Sequence, residues 1–299
     1  MRHRHPMKGR FFPLSLGVCG LAGLAASLPG CRLTDLFQEE PPATVPAALG
    51  PVSLPEEHSL RVSQYVFNTN RELDPEAPIL TELADLREQV CKELKLPPAD
   101  SLIQVYLFED QDSYQRYMSA LYPDLPHRRA FFVAQPQVGD APDELLVYTF
   151  WGEHIRQDLR HELTHALLHS VIREVPLWLD EGLAEFFELP PEFDGVNQTH
   201  LLELKQDDDF RPDLARLERL HKVKHMRQAE YREAWAWAHL MRRGSERARV
   251  VLLEYLRDLR QGKQPSPLRE RLLTVFGQPE VAVAGHVTMV PLPTSHVRR

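Results

Sequence analysis

The segment His161-Glu162-Leu163-Thr164-His165 constrains this chain more than any other. Histidines four apart on a helix lie one above the other, so both imidazoles project from one face within reach of a single ion. Neutral imidazole suits Zn²⁺, which at a reactive site takes a third protein ligand and leaves one position open for water. Glu162, next to the first histidine, is placed to take a proton from that water. Leu159, Leu163, Ala166 and Leu167 form an adjoining apolar stripe, so the helix can be buried while it presents its histidines to a cleft.

A second helix is predicted just downstream. It opens at Pro176 and runs through Trp178-Leu179-Asp180-Glu181-Gly182-Leu183-Ala184-Glu185-Phe186-Phe187-Glu188. Glu181 and Glu185 share one of its faces, beside a large apolar surface. The interval after His165 is long enough to finish the first helix, turn and return antiparallel. Glu181 can then complete a metal set with His161 and His165, and Glu185 can accept a hydrogen bond that fixes the tautomer of a ligand imidazole. His169, one turn beyond His165, is expected to stand behind the ligands rather than among them.

These two helices resemble those of the gluzincin metallopeptidases, the group that contains thermolysin and the large zinc aminopeptidases. The resemblance implies a zincin-like α+β fold, with Glu181 as third zinc ligand and Glu185 supporting a ligand histidine. It also implies a sheet whose edge strand binds extended substrate. The run from Leu96-Pro97-Pro98 through Arg128-Arg129-Ala130-Phe131-Phe132 to Trp235-Ala236-Trp237 is similar to that of a poorly characterised group of secreted bacterial gluzincin-like proteins. Two departures stand out. The spacing to Glu181 is shorter than in thermolysin, and the Gly-x-Met-Glu-Asn element that holds a substrate amino terminus in the large aminopeptidases is missing. The metzincin pattern fails outright, because Leu168 and Val171 occupy its glycine and third-histidine positions.

The resemblance implies peptide-bond hydrolysis with zinc as cofactor and a peptide or protein as substrate. The same parts admit a zinc amidase acting on cell-wall peptides, or a zinc-binding envelope protein that has kept the fold without turnover. A developing oxyanion needs a second electrophile beside the metal. Tyr231, which begins the helical run ending at His239, is the first candidate for this catalytic role, followed by His239 and His225. Trp235 and Trp237, two apart on that helix, are expected to pack on different sides.

The rest of the chain supplies the frame. Leu60 to Asn68 alternates as a strand, and Ile79 to Leu94 has helical apolar spacing that stops at Pro97-Pro98. Ile103–Phe108, Ala130–Ala134 and Leu145–Phe150 read as strands, with a helix over Ser113–Leu121. A mixed sheet with early helices, followed by a helical half, makes an α+β domain. Its boundaries are placed at residues 56–262, with a short helix and a loose Val- and Pro-rich tail over residues 263–299. Arg211, Arg216 and Arg219 are expected on a solvated helix face, and Asn197 and His200 in a loop between helices.

The amino terminus reads as a targeting segment. Arg2, Arg4, Lys8 and Arg10 precede an apolar run from Phe11 to Leu28. Residues 1–30 are expected to be a signal peptide, because Leu28-Pro29-Gly30-Cys31 resembles a bacterial lipobox, with Cys31 lipidated. An uncleaved signal anchor is the alternative, since about 18 apolar residues just span a bilayer. Residues 31–55, with Pro41, Pro42, Pro46, Pro51 and Pro55, form a tether. Either anchor implies a domain outside the cytoplasm, at the cell envelope in the periplasm or on the surface, with the lipid bilayer as partner and the chain expected to be a monomer. The formal net charge of −8, with four of the bases confined to the leader, leaves an acidic body that repels phosphate backbones and disfavours nucleic acid. Of three cysteines only Cys91 falls in the folded part, so a disulfide framework is excluded and a core thiol expected.

Overall fold

The computed structural model describes residues 52–137 and 142–292. The leader, the lipobox cysteine Cys31 and nearly all of the tether lie outside the described residues.

The stretch expected as one strand is a hairpin. β1 (His58–Val62) and β2 (Tyr65–Thr69) pair antiparallel, and Ser63 takes a positive φ of 58° to make the reversal. A turn inside an alternating run leaves the alternation in place on both arms, which is why periodicity alone read it as continuous. α1 (Pro78–Leu94) starts on a proline, whose missing N–H costs nothing in a first turn. It ends at Lys95 in the left-handed conformation. Leu80, Leu83, Leu86, Val90 and Leu94 are its buried stripe.

β3 (Ile103–Phe108) returns parallel to β2. α2 (Gln111–Leu121) follows, capped by Asp110, whose carboxylate accepts the Ser113 N–H at 2.8 Å. β4 (Ala130–Gln135) and β5 (Glu144–Phe150) are antiparallel to one another, and β5 lies parallel to β3. The sheet order is β1-β2-β3-β5-β4, so β4 is an edge.

Alternation along the strands separates two cores. Tyr65, Phe67, Val105 and Val147 face α1 and the helical half, whereas Phe108, Phe131, Leu146 and Tyr148 face α2. Cys91 lies half-buried against the first core.

The helical half begins with α3 (Ile155–His169) and α4 (Leu177–Phe187). It continues through α5 (Gln198–Gln206), the short α6 (Leu214–Leu217), and α7 (Gln228–His239) with a π-helical turn at Leu240–Gly244. α8 (Glu246–Arg260), α9 (Leu268–Phe276) and α10 (Pro279–Met289) complete it. α3 packs on the sheet beside β4 and β5, and α4 lies between α3 and α7. The fold is therefore α+β, a five-stranded mixed sheet followed by a helical half.

Three expectations change. α10 replaces the loose tail expected from residue 278, held by Val283 and Val287, which are buried in the main core. Its small apolar residues run all round the helix, so no stripe marks it in the sequence. His200 and Asn197 do not sit in a loop: Asn197 caps α5, accepting the His200 N–H at 3.1 Å. Arg216 is not part of a free basic face, because it pairs with Glu230 at 2.7 Å and with Glu233 at 2.5 Å. Trp235 and Trp237 are both buried. Among the described residues no helix is long and apolar enough to cross a membrane.

Candidate metal centre

α3 presents His161 and His165 one turn apart, with ring centroids 4.9 Å apart. α4 brings Glu181 against both: its Oε2 lies 3.5 Å from His161 Nε2 and 3.7 Å from His165 Nε2. Donors bonded to tetrahedral zinc at about 2.0–2.1 Å stand about 3.3 Å apart, so the three atoms already outline a zinc-sized corner. Glu181 Oε2 is buried and has no hydrogen-bond partner among the described residues. A buried carboxylate oxygen left unpaired is costly, and an ion between the three side chains is what would satisfy it. A second group, His161 with Glu185 and Glu188, also brings ligand atoms within 4.8 Å of one another. Its two carboxylates are engaged by His200, Asn197 and Gln157, whereas Glu181 Oε2 is unpaired, which favours the first group.

The outward nitrogens of the pair face carboxylates, Glu188 in a hydrogen bond to His161 and Asp180 in an ion-pair contact with His165 that lacks hydrogen-bond geometry. Glu188 Oε2 lies 3.0 Å from His161 Nδ1, and Asp180 Oδ1 lies 2.9 Å from His165 Nδ1. A carboxylate at Nδ1 keeps the proton there and turns Nε2 inward as a lone-pair donor. Asp180 reaches His169 Nε2 with its other oxygen at 3.2 Å, while the His169 ring stacks on Phe132 at 5.3 Å. His169 thus stands behind His165, tied to the same carboxylate.

Glu185 is a correction. Although it follows Glu181 by one turn, it hydrogen-bonds His200 Nε2 at 3.0 Å and the Asn197 amide at 3.3 Å, and neither imidazole of the pair. The rotation of α4 aims Glu185 at the start of α5. Glu188, two turns after Glu181, returns to the His161 side, and Asp180 sits on the His165 side. Glu188 is further fixed by Gln157 at 2.7 Å and Asn197 at 3.1 Å. Buried Arg160 grips the carbonyls of Phe187 and Leu189 at 3.1 Å and 2.8 Å, closing the end of α4.

Tyr231, from α7, donates its hydroxyl to Glu181 Oε1 at 3.2 Å. Arg128, from the segment before β4, donates Nη2 to the same hydroxyl oxygen at 2.6 Å. The sequence marks Arg128 only within a run of resemblance and gives it no role, since its partners lie far away in the chain. Of the other candidates, His239 is enclosed beside His286, and His225 lies in a short turn after α6. Neither borders the cleft.

Charges in this buried cluster shift one another. Burial raises the Glu162 carboxyl above its usual range, partly offset by His161 and His165. Burial opposes ionisation of Glu181 as well, but the neighbouring imidazoles of His161 and His165 win, and its carboxyl is held low. Burial would lower both imidazoles. Instead the carboxylates of Glu181 and Glu188 hold His161 well up, and Asp180 raises His165. Glu162 opens onto a cleft of about 880 Å³ that is also bordered by His161, Arg128, Tyr231, Glu185 and Glu188.

No family model matches the chain, and no curated protein matches it. Among solved structures it is similar to an M1 zinc metallopeptidase from Deinococcus radiodurans, at 18% sequence identity and a TM-score of 0.39. That similarity covers 79% of this chain and 52% of the other, so the chain spans about half the length of that enzyme.

Proposed function

We propose that this chain is a zinc-dependent peptide-bond hydrolase of gluzincin type, held at the bacterial cell envelope by lipidation of Cys31. The observation that carries the hydrolytic reading is the buried, unpaired Glu181 Oε2 standing 3.5 Å and 3.7 Å from two inward-facing histidine nitrogens. Beside it, Glu162 borders an open cleft.

In this reading His161, His165 and Glu181 hold the ion, with Asp180 and Glu188 fixing the histidine tautomers. Bound zinc supplies an acidified water and polarises the substrate carbonyl. Glu162 accepts the water proton and returns it to the leaving amine, and burial, which raises its carboxyl above the usual range, makes it a stronger base for the first transfer. Tyr231 would turn its hydroxyl proton from Glu181 Oε1 to the developing oxyanion, and the cation of Arg128 behind it would strengthen that donor. The substrate is a peptide or protein outside the cytoplasm. The absence of the aminopeptidase Gly-x-Met-Glu-Asn element leaves no support for recognition of a free amino terminus.

The test is cleavage of a mixed peptide library by the zinc-loaded protein and by Glu162→Gln. Cleavage by the wild type and none by a Glu162→Gln variant that still carries zinc supports hydrolysis with Glu162 as base. Equal cleavage by both refutes that role, and zinc binding with no cleavage by either refutes the peptidase reading.

A further inference from the structure

Arg128, half-buried in the segment before β4, has no carboxylate in ion-pair contact among the described residues. Its neighbour Arg129, by contrast, is held by Asp158 at 2.8 Å. Glu181 and Glu162 act on Arg128 only through space, from the metal corner. A guanidinium presents five N–H donors in a planar fork. One of them meets the Tyr231 hydroxyl at 2.6 Å, and the guanidinium carbon lies 5.5 Å from the centre of the Tyr231 ring. The other four donors have no partner among the described residues.

Arg128 also borders a concavity of about 300 Å³ on the α2 side of the cleft. Gln115 and Ser119 bring polar groups to its lining, which contains no acid. Tyr114, 1% exposed, belongs to the same lining, and its hydroxyl is buried without a hydrogen-bond partner among the described residues. Arg128 is among the charges that act on that phenol, so two residues with unused donors lie close together. A part-buried cation with spare donors and an orphaned hydroxyl are both costly, and one acceptor group would satisfy both.

We propose that this concavity binds a small organic carboxylate, held by the Arg128 fork with Tyr114 and Gln115 as further donors, and that the bound anion weakens Tyr231 as a donor. A carboxylate matches the fork with two parallel hydrogen bonds. The volume lies at the low end of ligand sites, which suits an acid of few atoms. An anion on Arg128 offsets part of the cation behind the Tyr231 hydroxyl. Only this effect on Tyr231 rests on the hydrolytic reading; the binding does not.

The experiment follows the ¹³C-methyl signal of Met118, which lines the concavity, in the full chain in detergent as sodium acetate is added. Acetamide and sodium chloride are the controls for a neutral match and for ionic strength. Acetate alone should shift the signal in a saturable way. Arg128→Met should weaken binding by about tenfold or more, as expected for lost hydrogen bonds to a charged group. Ser119→Trp, which fills the concavity from an exposed position, should abolish the response. Glu181→Ala should keep it. N-acetylglycine separates the sources of the carboxylate: tighter binding than acetate means a peptide end, equal or weaker binding a free acid, and both uphold the site. If the protein cleaves peptides, acetate should lower kcat at unchanged KM in the wild type and not in Tyr231→Phe. A Met118 response in a protein that cleaves nothing upholds the site while the hydrolytic reading fails. No acetate response, an equal one to acetamide or chloride, full affinity in Arg128→Met, or a response lost in folded Glu181→Ala overturns it.

Discussion

Gly182 faces the backbone carbonyl of Ala234 so closely that a Cβ on it would stand 2.5 Å from that oxygen. This contact sets the separation of α4 and α7, and with it the reach of Tyr231 to Glu181. Gly182→Ala is therefore expected to destabilise the fold. Overpacking against backbone costs about 1–3 kcal/mol and outweighs the gain of up to about 1 kcal/mol from replacing a helical glycine. Denaturant unfolding should show the loss as a lower midpoint, and an equal or higher midpoint would mean the helices can part freely here.

Glu188 hydrogen-bonds the outward nitrogen of His161, and Asp180 stands 2.9 Å from that of His165 in an ion-pair contact. Glu188→Gln and Asp180→Asn should each weaken zinc binding by about 10–100-fold, because the histidines lose their fixed tautomers while the ligand atoms remain. Competition with a chromogenic chelator reads this directly. Unaltered affinity in both variants would remove the carboxylates from the account.

Tyr231→Phe should lower kcat by about 10²–10³-fold with zinc content retained, as expected for loss of one oxyanion donor. Arg128→Met acts through the same hydroxyl, so the double variant should fall little below the worse single variant. Independent, multiplicative losses would contradict the arrangement.

Acid sensitivity should originate away from the cleft. His239 and His286 are buried, with Nδ1 of one 2.8 Å from Nε2 of the other. Trp235 and Phe186 pack on His239. Burial, then the neighbouring His286, drives His239 down to about 3, and burial lowers His286 as well. An unfolded histidine titrates near 6.5, so between about pH 6.5 and 3 the unfolded chain binds the extra proton and stability falls as pH falls. The slope is at most about 1.4 kcal/mol per pH unit for each group. Melting temperatures of the wild type should drop between pH 7 and pH 5, and His239→Phe should reduce that drop. An identical acid limb in the variant would place its origin elsewhere.

Much of this site was legible because helix periodicity is a strong local rule. His161 and His165 needed only a four-residue interval, and Glu181 needed a second amphipathic helix after a turn. The same interval misled at Glu185: spacing says which residues share a face, whereas the rotation of α4 against α3 and α5 decides what that face meets. Arg128 and Asp180 act through contacts distant in sequence, so no local pattern could single them out. In the fold, α1 and β3 followed from apolar spacing, but the reversal at Ser63 hides inside an alternating run. α10 has small apolar residues on every side and carries no periodic signal, although Val283 and Val287 anchor it in the core.

The most direct measurement is the metal content and ligand set of the folded protein, by elemental analysis and zinc X-ray absorption, beside Glu181→Ala. A centre built from His161, His165 and Glu181 predicts about one zinc per chain bound by two nitrogen donors and carboxylate or water oxygens, with content and affinity sharply reduced in Glu181→Ala. A folded wild type that takes up no zinc, or a Glu181→Ala variant that binds it as tightly, would contradict it.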